Sequence, residues 1–184
     1  MTKKIIISLA VIAALALGVL YARGLLNVHQ GMAPPASLAA LKLEKTPKSA
    51  PDVTFTDAAG TRHALQSFRG RFVLLNLWAT WCGPCVNELP ALARLSVYAP
   101  GVRVIAVNMD RGQVDAAAFL KEHQAKALGV YRDTDVSMMR NFVAVSLPLT
   151  VLIDPAGKVV ARADGPADWD TPESVAYFKR ISGS

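Results

Sequence analysis

A long apolar stretch opens the chain. Residues 5–22 carry no charged side chain, and Lys3 and Lys4 precede them. A helix needs about 17–25 apolar residues to cross a bilayer, so this stretch lies at the short end of that range. It is apolar on every face, which is typical of a membrane segment and not of a soluble helix with one apolar stripe. We predict that residues 1–23 form a membrane anchor, with a cleaved signal peptide as the alternative.

No clear periodicity follows the apolar stretch. Residues 24–50 contain Pro34, Pro35 and Pro47 among scattered Ser and Lys residues. Prolines at this density disfavour a packed helix or strand. We predict a flexible linker between the membrane and the rest of the chain, with at most one helical turn over residues 38–43.

Residues 51–184 alternate between strand and helix patterns, which predicts one α/β domain with a central mixed sheet flanked by helices. A polar turn at 57–60 separates two short extended runs and predicts an N-terminal β-hairpin. Near-continuous apolar runs are typical of strands buried on both faces, and they occur at 71–78, 102–109 and 149–154. A further strand is predicted at 158–163, and helices are predicted at 86–98, 114–126, 135–142 and 171–181, the last with Thr171 as its N-cap.

Composition and charge narrow the class of protein. Of the 184 residues, 52% are hydrophobic, which is enough for a substantial core. Three of the 20 basic residues flank the N-terminal apolar stretch, which leaves 17 basic against 14 acidic residues in the remainder. That balance, without a basic run, gives no reason to expect a nucleic-acid partner. Two cysteines exclude a scaffold built on several disulfides.

The two cysteines, Cys82 and Cys85, are spaced C-x-x-C between a predicted strand and a predicted helix that begins near Pro84. A zinc clamp needs about four ligands, and no second pair or suitably spaced histidine is present. A permanent structural bridge over so short a loop would constrain the unfolded chain little. A redox couple is the interpretation that remains favoured. The free N–H groups and positive dipole of the helix N-terminus favour the thiolate form of Cys82.

The sequence around the cysteines resembles the thioredoxin superfamily. The match runs through NLWATWCGPCVNELPAL, residues 76–92, and LPLTVLIDPAGKVVARADGPADW, residues 147–169. Together with the apolar N-terminus, these stretches are similar to the TlpA/ResA/CcmG group of membrane-anchored periplasmic thiol–disulfide oxidoreductases. The GPADW segment and the anchor make the TlpA branch the nearest likeness. The resemblance covers roughly residues 50–182 and implies a thioredoxin-like fold.

The resemblance also implies roles for individual residues. Cys82 matches the attacking nucleophile and Cys85 the resolving cysteine. Pro148, preceded by Leu147, matches a proline that packs beside the disulfide, usually after a cis peptide bond. Glu88 matches an acid that lines a cavity beside the cysteines and tunes them. The alternative for Glu88 is a first-turn acid that complements the helix dipole.

Further residues bear on client binding and on the direction of electron flow. Trp81 is expected on the docking surface, with Gly83 and Pro84 beside the sulfurs. The Gly83–Pro84 pair is that of thioredoxin, which favours the reducing end of the superfamily. Asn76 stands where thioredoxin has an aspartate, so a proton relay through that position is excluded. Trp169 is expected to pack the last loop, with no functional role.

The sequence therefore predicts a dithiol reductant, anchored in the inner membrane with its domain in the periplasm. The expected clients are exported proteins with cysteine pairs, either a copper chaperone or oxidase subunit or an apocytochrome c. Electrons are expected from a transmembrane thiol donor, and no cofactor is expected. A copper chaperone that uses both thiols is an alternative. A thiol peroxidase is another, but its T-x-x-C motif fails because Ala79 occupies the threonine position. A disulfide isomerase would need a dimerisation segment, and none is visible.

Overall fold

The computed structural model of the protein describes residues 33–184. Its eight strands are β1 Lys42–Ser49, β2 Thr54–Asp57, β3 Arg62–Ala64, β4 Phe72–Trp78, β5 Val102–Asn108, β6 Tyr131–Arg132, β7 Leu149–Ile153 and β8 Lys158–Asp164. Its four α-helices are α1 Gly83–Tyr98, α2 Ala116–Glu122, α3 Ser137–Asn141 and α4 Pro172–Ser182. Short 3₁₀ turns cover Ala36–Leu38, Leu65–Phe68 and Lys126–Leu128.

The predicted membrane anchor over residues 1–23 lies outside the described residues. Across residues 33–184, none of the helices has the length and apolar character that a bilayer span requires.

The strands form one sheet in the order β1-β8-β7-β4-β5-β6-β2-β3. β4 lies at its centre, parallel to β5 and antiparallel to β7. β4 pairs with a strand on each side and is buried on both faces, which is why its sequence is a near-continuous apolar run. The mixed sheet and the α/β class predicted from the sequence are confirmed.

Successive side chains of β4 point to opposite faces of the sheet. Leu75 and Leu77 join the core cluster that also contains Met138 of α3 and the neighbouring Phe142. Asn76 lies on the other face, where its amide contacts Glu88 of α1. The alternating side chains of β4 therefore separate the main core from the face of the sheet that carries the cysteine helix α1.

Local signals in the sequence explain several element boundaries. The β2–β3 hairpin turns at the predicted position, where Asp57 Oδ1 accepts hydrogen bonds from the backbone N–H groups of Ala59 and Thr61. α4 begins after Thr171, whose hydroxyl accepts the N–H of Ser174, as the predicted N-cap requires. Both predictions are confirmed.

The helix predicted over 86–98 is confirmed: α1 continues through Pro90 to Tyr98, and it begins earlier, at Gly83. One helical prediction needs adjustment. The helix predicted over 114–126 is shorter, because Asp115 caps α2 at its N-terminus and the helix ends at Glu122.

The described part of the predicted linker is packed against the domain. Leu38 and Leu41 are buried, and β1 pairs antiparallel with β8 at the edge of the sheet. For these residues the prediction of a flexible spacer is wrong. An edge strand is solvated along one side and tolerates Pro47 near a register shift, so its sequence lacks the apolar signal of a central strand.

The packing of this segment is testable through Leu38, which is fully buried although it lies in the predicted linker. We expect Leu38→Ala to lower the free energy of unfolding by about 2–5 kcal/mol, because it leaves a cavity in a packed region. Val97→Ala is the matched control, since Val97 is 63% exposed on α1. Urea denaturation measures both; equal, small effects would mean that the segment is not part of the fold.

Candidate active site

The two cysteines lie at the N-terminus of α1 and are joined by a disulfide with an S–S distance of 2.04 Å. Cys82 is the N-cap residue, and its Sγ accepts the backbone N–H of Cys85 at 3.3 Å. Cys82 is 5% exposed and Cys85 is 0% exposed. A sulfur at the positive end of a helix is stabilised as a thiolate. The pair is therefore asymmetric, with the more accessible sulfur also the better placed to carry negative charge.

The loop before Cys82 is fixed by the end of the neighbouring strand β5. Thr80 donates both its backbone N–H and its hydroxyl to the buried Asp110 carboxylate, at 2.9 and 3.0 Å. Asn108 Nδ2 donates to the same carboxylate at 2.6 Å. Asp110 was not among the residues predicted from the sequence. The available signal was two polar residues, Asn108 and Asp110, at the end of a buried strand that runs parallel to β4.

Glu88 is buried beyond the first turn of α1 and is held by three uncharged groups. Asn76 Nδ2 donates to its Oε1 at 2.8 Å. Trp169 Nε1 and the backbone N–H of Ala167 donate to its Oε2, at 2.7 and 3.3 Å. Burial raises the pKa of Glu88 to about 7, although these hydrogen bonds oppose the shift by stabilising the charged form. The carboxyl group therefore changes charge near neutral pH.

The partners of Glu88 come from distant parts of the chain. Asn76 lies on the central strand β4, and its amide also donates to the Thr150 hydroxyl at 2.9 Å. Trp169 is fully buried in the loop before α4. No functional role was expected for this tryptophan from the sequence, but in the structure its indole N–H donates directly to the acid. The GPADW segment was the only signal, and it did not identify the partner.

Leu147 and Pro148 lie at the same end of the sheet as the disulfide. The bond between them is cis, and Pro148 is buried. Leu149 pairs with Leu77 in the β4–β7 ladder, so Pro148 lies opposite the end of β4 that leads into the cysteine loop. The carbonyl of Pro148 accepts the N–H of Gly165 at 3.0 Å, which joins this turn to the loop that carries Trp169.

Two grooves flank the cysteine loop. One, of about 490 Å³, is lined by Ala36, Ser37, Ala39, Ala40, Pro84, Asn87, Glu88, Ala91, Pro166, Ala167, Asp168 and Asp170. The other, of about 340 Å³, is lined by Trp81, Met109, Asp110, Arg111, Val136 and Met139. Trp81, which lines the second groove, is 70% exposed. An exposed large apolar side chain beside a reactive pair is typical of a protein-binding surface.

The structure brings together most of the residues that the sequence singled out. Cys82, Gly83, Pro84, Cys85 and Glu88 occupy the start of α1 and its N-cap. Within residues 33–184, no three His, Cys, Asp or Glu side chains converge as a metal site would require. The arrangement consists of two sulfurs, a titratable carboxyl group and an exposed aromatic side chain.

Known proteins similar to this chain share one type of redox activity. The Redoxin family model matches residues 45–178. The thiol-disulfide oxidoreductase ResA of Bacillus thuringiensis subsp. konkukian (strain 97-27) is 32% identical over 137 residues, which cover 73% of this chain and 78% of that protein. ResA of Bacillus subtilis (strain 168) is 35% identical over 118 residues, which cover 63% of this chain and 65% of that protein.

A solved structure agrees with these relatives. The crystal structure of a thiol:disulfide interchange protein DsbE from Chlorobium tepidum superposes with a TM-score of 0.62 and 30% identity. The match covers 77% of this chain and 97% of that one. The thioredoxin-like fold implied by the resemblance is confirmed. The chain belongs to the Redoxin family and is a thiol–disulfide oxidoreductase of the ResA/DsbE type.

Proposed function

We propose that the protein is a membrane-anchored dithiol reductant of exported proteins, with Cys82 as the nucleophile and Cys85 as the resolving cysteine. The observation that carries this proposal is the asymmetry of the pair. Cys82 Sγ caps α1 and accepts a backbone N–H, whereas Cys85 is fully buried behind it. A client disulfide can reach the first sulfur but not the second.

The reaction begins from the dithiol form. The Cys82 thiolate attacks one sulfur of a client disulfide, forms a mixed disulfide and releases the other client sulfur as a thiolate. Cys85 then loses its proton and attacks the Cys82 sulfur. This step closes the Cys82–Cys85 disulfide and releases the second client thiolate. Two electrons pass to the client, and a thiol donor must reduce the disulfide before the next cycle.

Glu88 is proposed to exchange protons beside the buried cysteine pair and to control how readily a thiolate forms there. Its pKa of about 7 allows the carboxyl group to exchange a proton near neutral pH. When ionised, it opposes formation of a thiolate nearby, and when neutral it does not. The acid therefore links the reactivity of the sulfurs to the protonation of a group that solvent barely reaches.

Client contact is proposed for Trp81, Gly83, Pro84, Leu147 and Pro148. Trp81 supplies a large exposed ring, and Gly83 and Pro84 are exposed beside the sulfurs. Aromatic side chains provide much of the apolar area of protein interfaces. The flanking grooves extend this surface on both sides of the cysteine loop.

The proposed site of action is the periplasmic side of the inner membrane. The charge-free residues 5–22 after two lysines support an anchor whose C-terminal domain faces outward. The Gly83–Pro84 pair supports the reducing direction. Clients are proposed to be proteins with cysteine pairs that receive copper or haem, and a transmembrane thiol donor is proposed to supply electrons. No nucleic acid and no cofactor take part in this proposal.

Cys85→Ser is expected to trap clients. The variant keeps the nucleophile but cannot resolve the mixed disulfide, so a covalent complex should accumulate that thiol reductant releases. Cys82→Ser is the matched control and should trap nothing. Non-reducing electrophoresis followed by mass spectrometry identifies the captured proteins. A copper chaperone or oxidase subunit would support copper-site assembly, and an apocytochrome would support cytochrome c maturation. Equal capture by both variants would contradict the assigned roles.

Glu88→Gln is expected to change the pH dependence of thiol reactivity. In the wild type the carboxyl group becomes negative as the pH rises through about 7, which holds back further thiolate formation. The glutamine stays neutral, so alkylation of the reduced protein by iodoacetamide at pH 8 should be about threefold to tenfold faster. The wild-type inflection near neutral pH should disappear.

Glu173→Gln serves as the control, because Glu173 is exposed in the first turn of α4 and is not among the groups bonded to Glu88. Identical alkylation profiles for the wild type and Glu88→Gln would rule out this role of the acid.

A further inference from the structure

The loop over residues 165–170 supplies two of the three donors that hold Glu88. The backbone N–H of Ala167 and the indole N–H of Trp169 both donate to Oε2 of the acid. Asp168 lies between these two residues in the chain. The position of the Asp168 backbone therefore decides whether both donors reach the carboxyl group at once.

Both backbone polar groups of Asp168 are held by serines. Its N–H donates to the carbonyl oxygen of Ser37 at 3.3 Å. Its own carbonyl oxygen accepts the hydroxyl of Ser174 at 2.6 Å. One contact comes from the segment that precedes β1, and the other comes from the first turn of α4.

The hydroxyl of Ser174 is the junction of this network. Since it donates to Asp168, it accepts from the hydroxyls of Ser37 and Thr171, both at 2.9 Å. Ser174 is fully buried, and its hydroxyl uses its one donor and both of its acceptor positions. A buried network with every position satisfied fixes its members firmly.

Ser37 is itself held in place by its neighbours. It lies in the 3₁₀ turn Ala36–Leu38, and the buried side chains of Leu38 and Leu41 anchor this segment to the domain. The sequence alone assigned these residues to a spacer. Their contacts instead connect the segment that precedes β1 with the loop that covers the active-site acid.

We propose that Ser37 and Ser174 are positioning residues for Glu88. They fix the backbone of Asp168, and the loop in turn holds the N–H groups of Ala167 and Trp169 against the acid. The segment from Ser37 to Leu41 is thus part of the redox machinery. This inference rests on the proposed function only for its consequence in catalysis, since the positioning itself is a property of the folded chain.

Releasing the loop should admit water to Glu88. Burial is the largest influence on this group and raises its pKa, whereas the bonds from Trp169, Asn76 and Ala167 lower it. Hydration should therefore lower the pKa towards its ordinary range, even though two donors are lost. The other charged groups facing this region are Asp168 and Asp170, which line the groove, and Arg94 of α1, which pairs with Asp170. That ion pair is partly exposed and holds the loop only weakly.

The test uses the full chain with Ser174→Ala and, separately, Ser37→Ala. Ser182→Ala is the matched control, because its hydroxyl lies on the same helix and bonds only within the C-terminal turn. Nuclear magnetic resonance follows hydrogen exchange of the Trp169 indole N–H and the pH midpoint of the Glu88 carboxyl carbon.

Ser174→Ala removes the hydroxyl bonded to Asp168 and should accelerate Trp169 indole exchange by about tenfold, the factor that the loss of one hydrogen bond brings. Ser37→Ala removes only a donor to Ser174, so it should accelerate the exchange less. Each should also move the Glu88 midpoint to lower pH, while Ser182→Ala leaves both readouts unchanged. A merely structural role would lower the unfolding free energy without moving the Glu88 midpoint.

Unchanged exchange and an unchanged midpoint in both serine variants would overturn the inference. If Ser174→Ala fails to fold, Ser174→Cys decides in its place, because a thiol fills the same buried position but is only a weak donor to the Asp168 carbonyl. Neither readout requires disulfide exchange with a client. A protein that reduces no client but shows both shifts would refute the proposed function and keep this inference.

Discussion

The burial of one carboxyl group organises the active site. Glu88 of α1 meets Asn76 of the central strand on one side and Trp169 of the loop before α4 on the other. Removing a charge from water without a cationic partner is costly, so burial raises the pKa of Glu88 to about 7, and the uncharged donors around it offset only part of that cost. The contacts that bury the acid also bind the helix to the sheet and the loop to the helix. Fold and reactivity therefore depend on the same atoms.

The sulfur chemistry follows from the junction between β4 and α1. The buried strand β4 ends at Trp78, Asp110 accepts hydrogen bonds from the turn that follows, and α1 begins with Cys82 as its N-cap. This path of the chain places one cysteine at the positive end of a helix, nearer to solvent, and buries the other. Glu88 then lies further along the same helix, so one element carries nucleophile, resolving thiol and acid.

The sequence predicted the parts of this arrangement that depend on neighbouring residues. The strand before the cysteines, the position of Cys82 at the start of a helix and the capping of α4 by Thr171 all follow from short patterns. The contact between Trp169 and Glu88 spans 81 positions, and no local pattern encodes it. Asp110 was missed for a related reason, because its partner Thr80 lies 30 positions away.

The segment before β1 shows a second limit of sequence reasoning. The prolines and lysines of this segment and of β1 are compatible with a linker, and β1, as an edge strand, has too few buried positions to show alternation. The buried side chains of Leu38 and Leu41 anchor it to the domain, and the Ser37 hydroxyl bonds to Ser174. Ser174 lies more than a hundred residues later in the chain, so only the folded chain brings the two serines close.

The central claim is that the Cys82–Cys85 dithiol acts as a reductant of client disulfides. The most direct test is the midpoint potential of the Cys82–Cys85 couple, measured by equilibration with thiol–disulfide redox buffers at neutral pH. The account predicts a value more negative than about −150 mV, towards the ~−270 mV of thioredoxin. A value above about −150 mV, towards the ~−120 mV of the oxidant DsbA, would contradict it.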